Sequence, residues 1–175
     1  CKIGLNTALL KGASMTFEIR QAVVDDAAVV HRLICDLAAV QGFEGAVQAT
    51  IEDIRRDGFG AGALFHSMLV EKDGEAFGLA LYFYIYSTWE GRPTLYVEDL
   101  VVSDLARGLG VGTALMRELA RIAKAKGCSK LELSVSDKNT ARAFYEGLGM
   151  KRKGDWLPYS ISGVGLDGLA NEAKV

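Results

Sequence analysis

The residues Arg107-Gly108-Leu109-Gly110-Val111-Gly112-Thr113 carry the most specific chemistry in this sequence. Glycines at alternate positions let peptide N–H groups converge where side chains would collide with a bound anion. A helix starts at the same point, because Leu115, Met116, Leu119, Ile122 and Ala123 recur at three and four as an inward stripe. A helix start turns the positive end of its dipole outward, and Arg107 adds a cation at its edge. The natural ligand is a pyrophosphate. The same glycines would also serve a close strand-to-helix turn with no ligand, and this stretch alone leaves both readings open.

Two familiar phosphate motifs are excluded. No Gly-Lys-Ser/Thr ending is present, so no Walker loop is formed. A dinucleotide fingerprint needs a third glycine where Thr113 or Leu115 stands. His31 and His66 have no partner at ligand or triad spacing and read as structural residues. Cys1, Cys35 and Cys128 are widely spaced, which suggests neither a disulfide framework nor a zinc site, so no metal is expected. A reducing cytosol is the expected setting. The formal charge of −2 gives no reason to expect nucleic acid or an anionic membrane as partner. No apolar run is long enough to span a bilayer.

The elements that position the glycine turn follow from pattern. Leu95 to Val102 is β-branched and too short for an ordinary helix, so it reads as a buried strand leading into the turn. Upstream, Phe17 to Arg20 alternates as a short strand. Asp25 is expected to cap a helix carrying Val29, Val30, Leu33, Ile34 and Leu37, stopped by Gln41-Gly42. Thr50 and Asp53 have the capping-box form and open a second helix that closes at Asp57-Gly58. Ser67 to Glu71 and Ala76 to Tyr86 read as a hairpin bent at Asp73-Gly74. Lys130 to Val135 is a further strand, Asn139 caps a helix through Tyr145, and a final strand pair is expected around Met150 and from Trp156 to Ile161. The sum is an α/β fold in a single domain, with a mixed, mostly antiparallel twisted sheet flanked by helices. Met15 reads as the natural beginning, and residues 1–14 as a dispensable lead.

The strand ending in Val101-Val102, the Arg-x-x-Gly-x-Gly turn and the helix it opens resemble the coenzyme A pyrophosphate loop of the GNAT superfamily of N-acetyltransferases. The resemblance includes an acidic residue on the preceding strand, here Glu98 with Asp99, and a later segment from Asn139 to Phe144-Tyr145 followed by Gly147-Leu148-Gly149. It covers nearly the whole chain from Met15, so 15–175 is the expected acetyltransferase domain. Within the family the chain is similar to the diamine acetyltransferase group in Arg56-Asp57-Gly58-Phe59-Gly60 with Phe65-His66, in Tyr86 to Arg92 and in Tyr96-Val97-Glu98-Asp99. Ser87-Thr88-Trp89, and Trp156 after Gly154-Asp155, are similar to the thialysine type.

The resemblance implies acetyl-CoA as co-substrate, with pyrophosphate on Arg107, Gly108, Leu109, Gly110, Val111, Gly112 and Thr113. Leu100, Val101 and Val102 would line the coenzyme, the N–H of Leu100 or Val102 holding the thioester oxygen if the strand splays there. Glu98 is the expected general base, through water, and Tyr145 the acid that protonates the departing thiolate. Asn139 would hold the pantetheine arm; it stands six residues before Tyr145, where the family has seven, and it also reads as a helix cap. Glu98 with Asp99 also reads as a surface pair, and Tyr145 as a core aromatic.

Gln41, Ser87, Trp89, Glu98, Asp99 and Trp156 are the implied substrate contacts, and a homodimer is implied as well. Gln41 and Ser87 stand where polyamine enzymes have carboxylates, which points to a small primary amine such as thialysine, lysine, ornithine or a short diamine. Lys151-Arg152-Lys153 would accept a carboxylate, or else is a solvated basic face. Trp89 and Trp156 suggest a closed pocket. Acetylation of a protein N-terminus or lysine, and a non-catalytic acyl-CoA-binding module, are the alternatives.

Overall fold

Asp73 (φ 52°) and Gly74 (φ 82°) both take left-handed backbone, which gives the two-residue turn whose twist matches that of its flanking strands. It joins β2 (His66–Lys72) to β3 (Glu75–Ser87). The computed structural model describes residues 16–154 and 157–171, in two compact units that divide between Ser136 and Asp137. The first unit holds a five-stranded sheet in the order β1 (Glu18–Gln21), β2, β3, β4 (Arg92–Val102), β5 (Lys130–Leu133). Strands β1 to β4 are antiparallel neighbours, and β5 runs parallel to β4 after a crossover through α3 (Val111–Ala125).

Both sheet faces are covered, as the apolar strands require. On one face, α1 (Ala27–Val40) and α2 (Ile51–Gly58) bury Val30, Leu33 and Ile54 against Leu69, Leu79 and Val101. The other face carries α3; of its expected stripe Leu115, Met116, Leu119 and Ala123 are buried and Ile122 is half-buried, while Val111 and Ala114 are buried as well. Thr50 caps α2 as its sequence predicts: Thr50 Oγ1 accepts from the Asp53 N–H at 3.1 Å, and Asp53 Oδ2 accepts from the Thr50 N–H at 2.9 Å.

The start of α1 differs from expectation. Asp26, not Asp25, occupies the cap position, because a 3-10 turn, Val24–Asp26, precedes the helix. The Asp26 carboxylate accepts from the Val23 N–H at 2.7 Å and from both terminal nitrogens of Arg20 at 2.6 and 2.9 Å, while Arg20 also clamps Glu71 of β2. This fork of charge-assisted bonds ties the helix start to β1 and β2.

In the second unit, Asn139 Oδ1 accepts from the Ala141 N–H at 2.8 Å and opens the turn that becomes α4 (Arg142–Gly147). The expected final strand pair is absent among the described residues. Residues 150–154 and 157–162 form no strand, and 163–171 form α5 (Gly163–Asn171). Pro158 has no N–H for a ladder, and Gly154 and Gly163 disfavour strand, whereas Leu166, Leu169 and Ala170 keep helical spacing. Residues 1–14 and Trp156 lie outside the described residues.

Candidate active site

The register between β3 and β4 slips at Glu98. Val97 lies opposite Tyr82 and Asp99 opposite Leu81, so Glu98 is the extra residue of a β-bulge. The slip shifts the alternation: Val97 shares a face with Tyr82, toward α3, whereas Asp99 and Val101 share the opposite face with Leu81 and Leu79, under α1 and α2. Glu98 is exposed and Asp99 half-buried. Among the described residues no hydrogen bond or ion pair holds Asp99. Burial, with the charge of Glu98 beside it, pushes the Asp99 carboxyl up to about 6.

Beyond the bulge, β4 loses its neighbour on the other side. Strand β5 pairs with β4 only from Thr94 opposite Lys130 to Val97 opposite Leu133, while β4 continues along β3 to Val102. The Ser103 N–H donates to the Phe77 carbonyl at 2.9 Å. Alternate residues along a strand direct their N–H groups the same way, so those of Val101 and Asp99 face β3. The N–H groups of Leu100 and Val102 therefore face the side that β5 has left. At the fork itself, Tyr96 donates its hydroxyl hydrogen to Ser134 Oγ at 2.8 Å and stacks on Phe83 at 5.3 Å between ring centres.

The glycine turn follows directly. Gly108 (φ 76°) and Gly110 (φ 80°) are left-handed, and no atom lies within 4 Å of where a Gly108 side chain would begin. Gly110 is the cap of α3, and its carbonyl accepts the Ala114 N–H at 2.9 Å. The N–H groups of Val111, Gly112 and Thr113 consequently have no acceptor within the helix. Gly112 has ordinary helical backbone, so conformation does not account for a glycine there. Arg107 pairs with Asp104 at 2.8 Å on the surface.

Gly78 is a residue that sequence reasoning missed. A methyl group there would lie 3.1 Å from the Val101 carbonyl oxygen and 3.3 Å from Val111 Cγ1, so the end of β4 and the start of α3 meet over it. A lone glycine inside an apolar strand is the signal that marks such a close approach.

The remaining candidates are scattered. Gln41 is exposed at the C-terminal cap of α1. Ser87 ends β3 opposite Arg92, and its hydroxyl accepts from the Glu90 N–H at 3.3 Å. Arg92 is six residues from Glu98 on β4, which is roughly 20 Å of strand. Trp89, at the hairpin tip, is 90% exposed. A cavity of about 330 Å³ between Lys124, Cys128, Lys130 and Arg92 lies at the far end of α3, roughly 20 Å along the helix from Gly110. It is not part of this site. His31 bonds the Ala49 carbonyl at 2.8 Å and His66 packs between Tyr82 and Tyr84, both structural contacts. In the second unit, Tyr145 is half-buried against Phe144, and burial raises its hydroxyl above the ordinary value. Lys151, Arg152 and Lys153 are exposed, and Arg152 meets Asp137 at 3.7 Å.

Residues 33–150 match the acetyltransferase (GNAT) family. The chain belongs to that family. This acetyltransferase is 35% identical to the thialysine N-epsilon-acetyltransferase of Mus musculus over 164 residues, which covers 87% of this chain and 96% of the relative. It is 33% identical, over 136 residues, to a Homo sapiens spermidine/spermine N(1)-acetyltransferase-like protein 1, covering 74% of this chain and 19% of that longer protein. An integron cassette protein from the mobile metagenome of V. cholerae shares the fold with a TM-score of 0.75 and 25% identity, covering 91% of this chain and 100% of its own. The family and these relatives make the protein an N-acetyltransferase.

Proposed function

We propose that this enzyme transfers the acetyl group of acetyl-CoA directly to the primary amine of a small molecule, a thialysine- or lysine-like amino acid or a short diamine. The observation that carries the reading is the fork in β4, which brings a carboxylate pair, strand N–H groups that β5 leaves unpaired among the described residues and an open helix start onto one strand and its turn. Each has a use. The N–H groups of Val111, Gly112 and Thr113, with Gly108 leaving space beside them, Leu109 and Gly110 in the same turn and Arg107 at its edge, suit a pyrophosphate. Those of Leu100 and Val102, on either side of Val101, suit an extended amide-bearing arm and the thioester oxygen. Acetyl-CoA supplies all of these groups.

Glu98, with Asp99 beside it, attracts the substrate ammonium and takes its proton through water, and Tyr145 returns one to the thiolate, with Asn139 on the pantetheine arm. The Tyr145 hydroxyl is protonated at neutral pH, as a donor must be, although burial raises it and so does not favour the transfer. The thialysine relatives, similar over almost their full length, support a small amine as acceptor. A homodimer belongs to this reading by family resemblance. A cytosolic setting fits two unpaired cysteines, Cys35 and Cys128.

Initial-velocity kinetics with acetyl-CoA against lysine, thialysine and a lysine-containing peptide test the proposal. Direct transfer gives intersecting reciprocal plots with the free amines. Parallel plots would replace it with an acetyl-enzyme route, and faster turnover of the peptide would replace the small-molecule acceptor.

A further inference from the structure

Two sets of N–H groups stand at the ends of one connection, those of Leu100 and Val102 at the end of β4 and those of Val111, Gly112 and Thr113 at the start of α3. The residues between them do little to fix their spacing. The N–H groups of Ala106, Arg107 and Leu109 donate to the carbonyls of Ser103, Asp104 and Ala106, so these bonds stay within the turn. Of residues 104–110 only Ala106 is buried. We propose that Gly78 is a positioning residue for acetyl-CoA: lacking a side chain, it sets the spacing of the two donor sets so that one coenzyme reaches both at once. The assignment rests on the acetyl-CoA reading above.

Gly78 is buried on β3, opposite Val70 of β2 and Val102 of β4. Its backbone is not left-handed, so conformation does not call for glycine there. Space does. A side-chain carbon would lie 3.1 Å from the Val101 carbonyl oxygen, 3.3 Å from Val111 Cγ1 and 3.4 Å from Val70 Cβ. Val70, Val101 and Val111 are all buried, and a close-packed interior gives way to an added methyl group only by moving its neighbours. Val101 lies between Leu100 and Val102, and Val111 carries the first open N–H of α3. A shift at either contact therefore moves one donor set against the other.

A ligand that spans two donor sets gains because its second contact is intramolecular once the first is made, and it keeps that gain only while the spacing matches. N–H···O bonds hold within about 2.7–3.2 Å, so a displacement of a few tenths of an ångström is felt. Each set can still bind its own group after such a shift. What weakens is their joint hold, and the loss falls on a donor that carries both the thioester arm and the pyrophosphate.

The test compares kcat/KM for acetyl-CoA and for S-acetylpantetheine, which keeps the thioester and the amide-bearing arm but has no pyrophosphate, with one free amine. In wild type, acetyl-CoA should be the better donor by about a hundred-fold or more. In Gly78→Ala that preference should shrink at least about tenfold, through a raised KM for acetyl-CoA, while the rate with S-acetylpantetheine changes far less. A general loss of structure would lower both donors alike, and an unchanged preference in Gly78→Ala would overturn the assignment alone. If Gly78→Ala does not fold, the double variant Gly78→Ala/Val111→Ala removes the contact with Cγ1 and keeps the one with the Val101 carbonyl. Its preference, read against Val111→Ala, should still be smaller, and an equal one would overturn the assignment. A wild type that uses the two donors equally would overturn the pyrophosphate reading and this assignment with it.

Discussion

Tyr96 donates to Ser134 Oγ over 2.8 Å, one residue before the last paired position of β4 on one side and one residue after the last position of β5 on the other. The bond therefore closes the fork at its apex. Tyr96→Phe keeps the ring on Phe83 and removes only the hydroxyl. Because the bond is exposed, denaturant unfolding should show a loss of about 0.5–1 kcal/mol. kcat/KM should fall roughly tenfold, since small displacements of reacting groups are costly. Wild-type kcat/KM in this variant would remove the bond from the site's architecture.

Gly112 separates the two meanings of the glycine turn. Its backbone is already helical, so Gly112→Ala should leave the melting temperature unchanged or raise it, alanine being favoured over glycine by up to about 1 kcal/mol inside a helix. Calorimetric titration with acetyl-CoA should nevertheless show at least a tenfold weaker affinity, because the methyl group occupies the approach to the converging N–H groups. Unchanged affinity would make the turn a packing device.

Asp99 also leaves a mark on stability. Its carboxyl is raised to about 6 in the folded protein, above the ordinary value of about 3.9 expected of the unfolded chain. The folded state therefore binds the extra proton, and this group's contribution to stability is fully present below the unfolded value and lost as pH rises through about 6. Chemical denaturation from pH 4 to 7 should show wild type losing stability relative to Asp99→Asn across that window. Parallel curves would mean that the carboxyl is not raised.

Tyr145→Phe keeps the contact with Phe144 and removes the proposed proton donor. Turnover should drop by about a hundred-fold or more while coenzyme affinity stays close to wild type. A loss below about threefold, far under the usual acid-catalysis range, would leave Tyr145 a packing residue.

Local chemistry made much of the first unit legible. Asp73-Gly74, Thr50 with Asp53, and the stripe from Leu115 to Ala123 each follow from rules that act within a few residues, and each stands where its residues predict. The bulge at Glu98 does not follow from propensity. It shows in the sequence only as a change of phase, with Leu95 and Val97 buried before the carboxylates and Val101 buried on the other face after them. Arg20 and Gly78 escaped because their roles depend on strands and helices distant in sequence. The expected strand from Trp156 to Ile161 gave too little weight to Pro158 and the neighbouring glycines, and residues 157–161 form no strand.

The acceptor proposed for the carboxylate bulge beside the glycine turn is a small primary amine. Steady-state kcat/KM with acetyl-CoA should be measured across thialysine, lysine, ornithine, putrescine, spermidine, spermine and a lysine peptide. Gln41 and Ser87 supply no carboxylate for distal ammonium groups, and each missing charge-assisted bond, worth roughly 1.5–3 kcal/mol, weakens a long polycation by about tenfold or more. Thialysine, lysine, ornithine or putrescine should therefore lead, with spermine at least about tenfold behind. Spermine at the head would contradict the choice of amine, and the peptide at the head would contradict the small-molecule site itself.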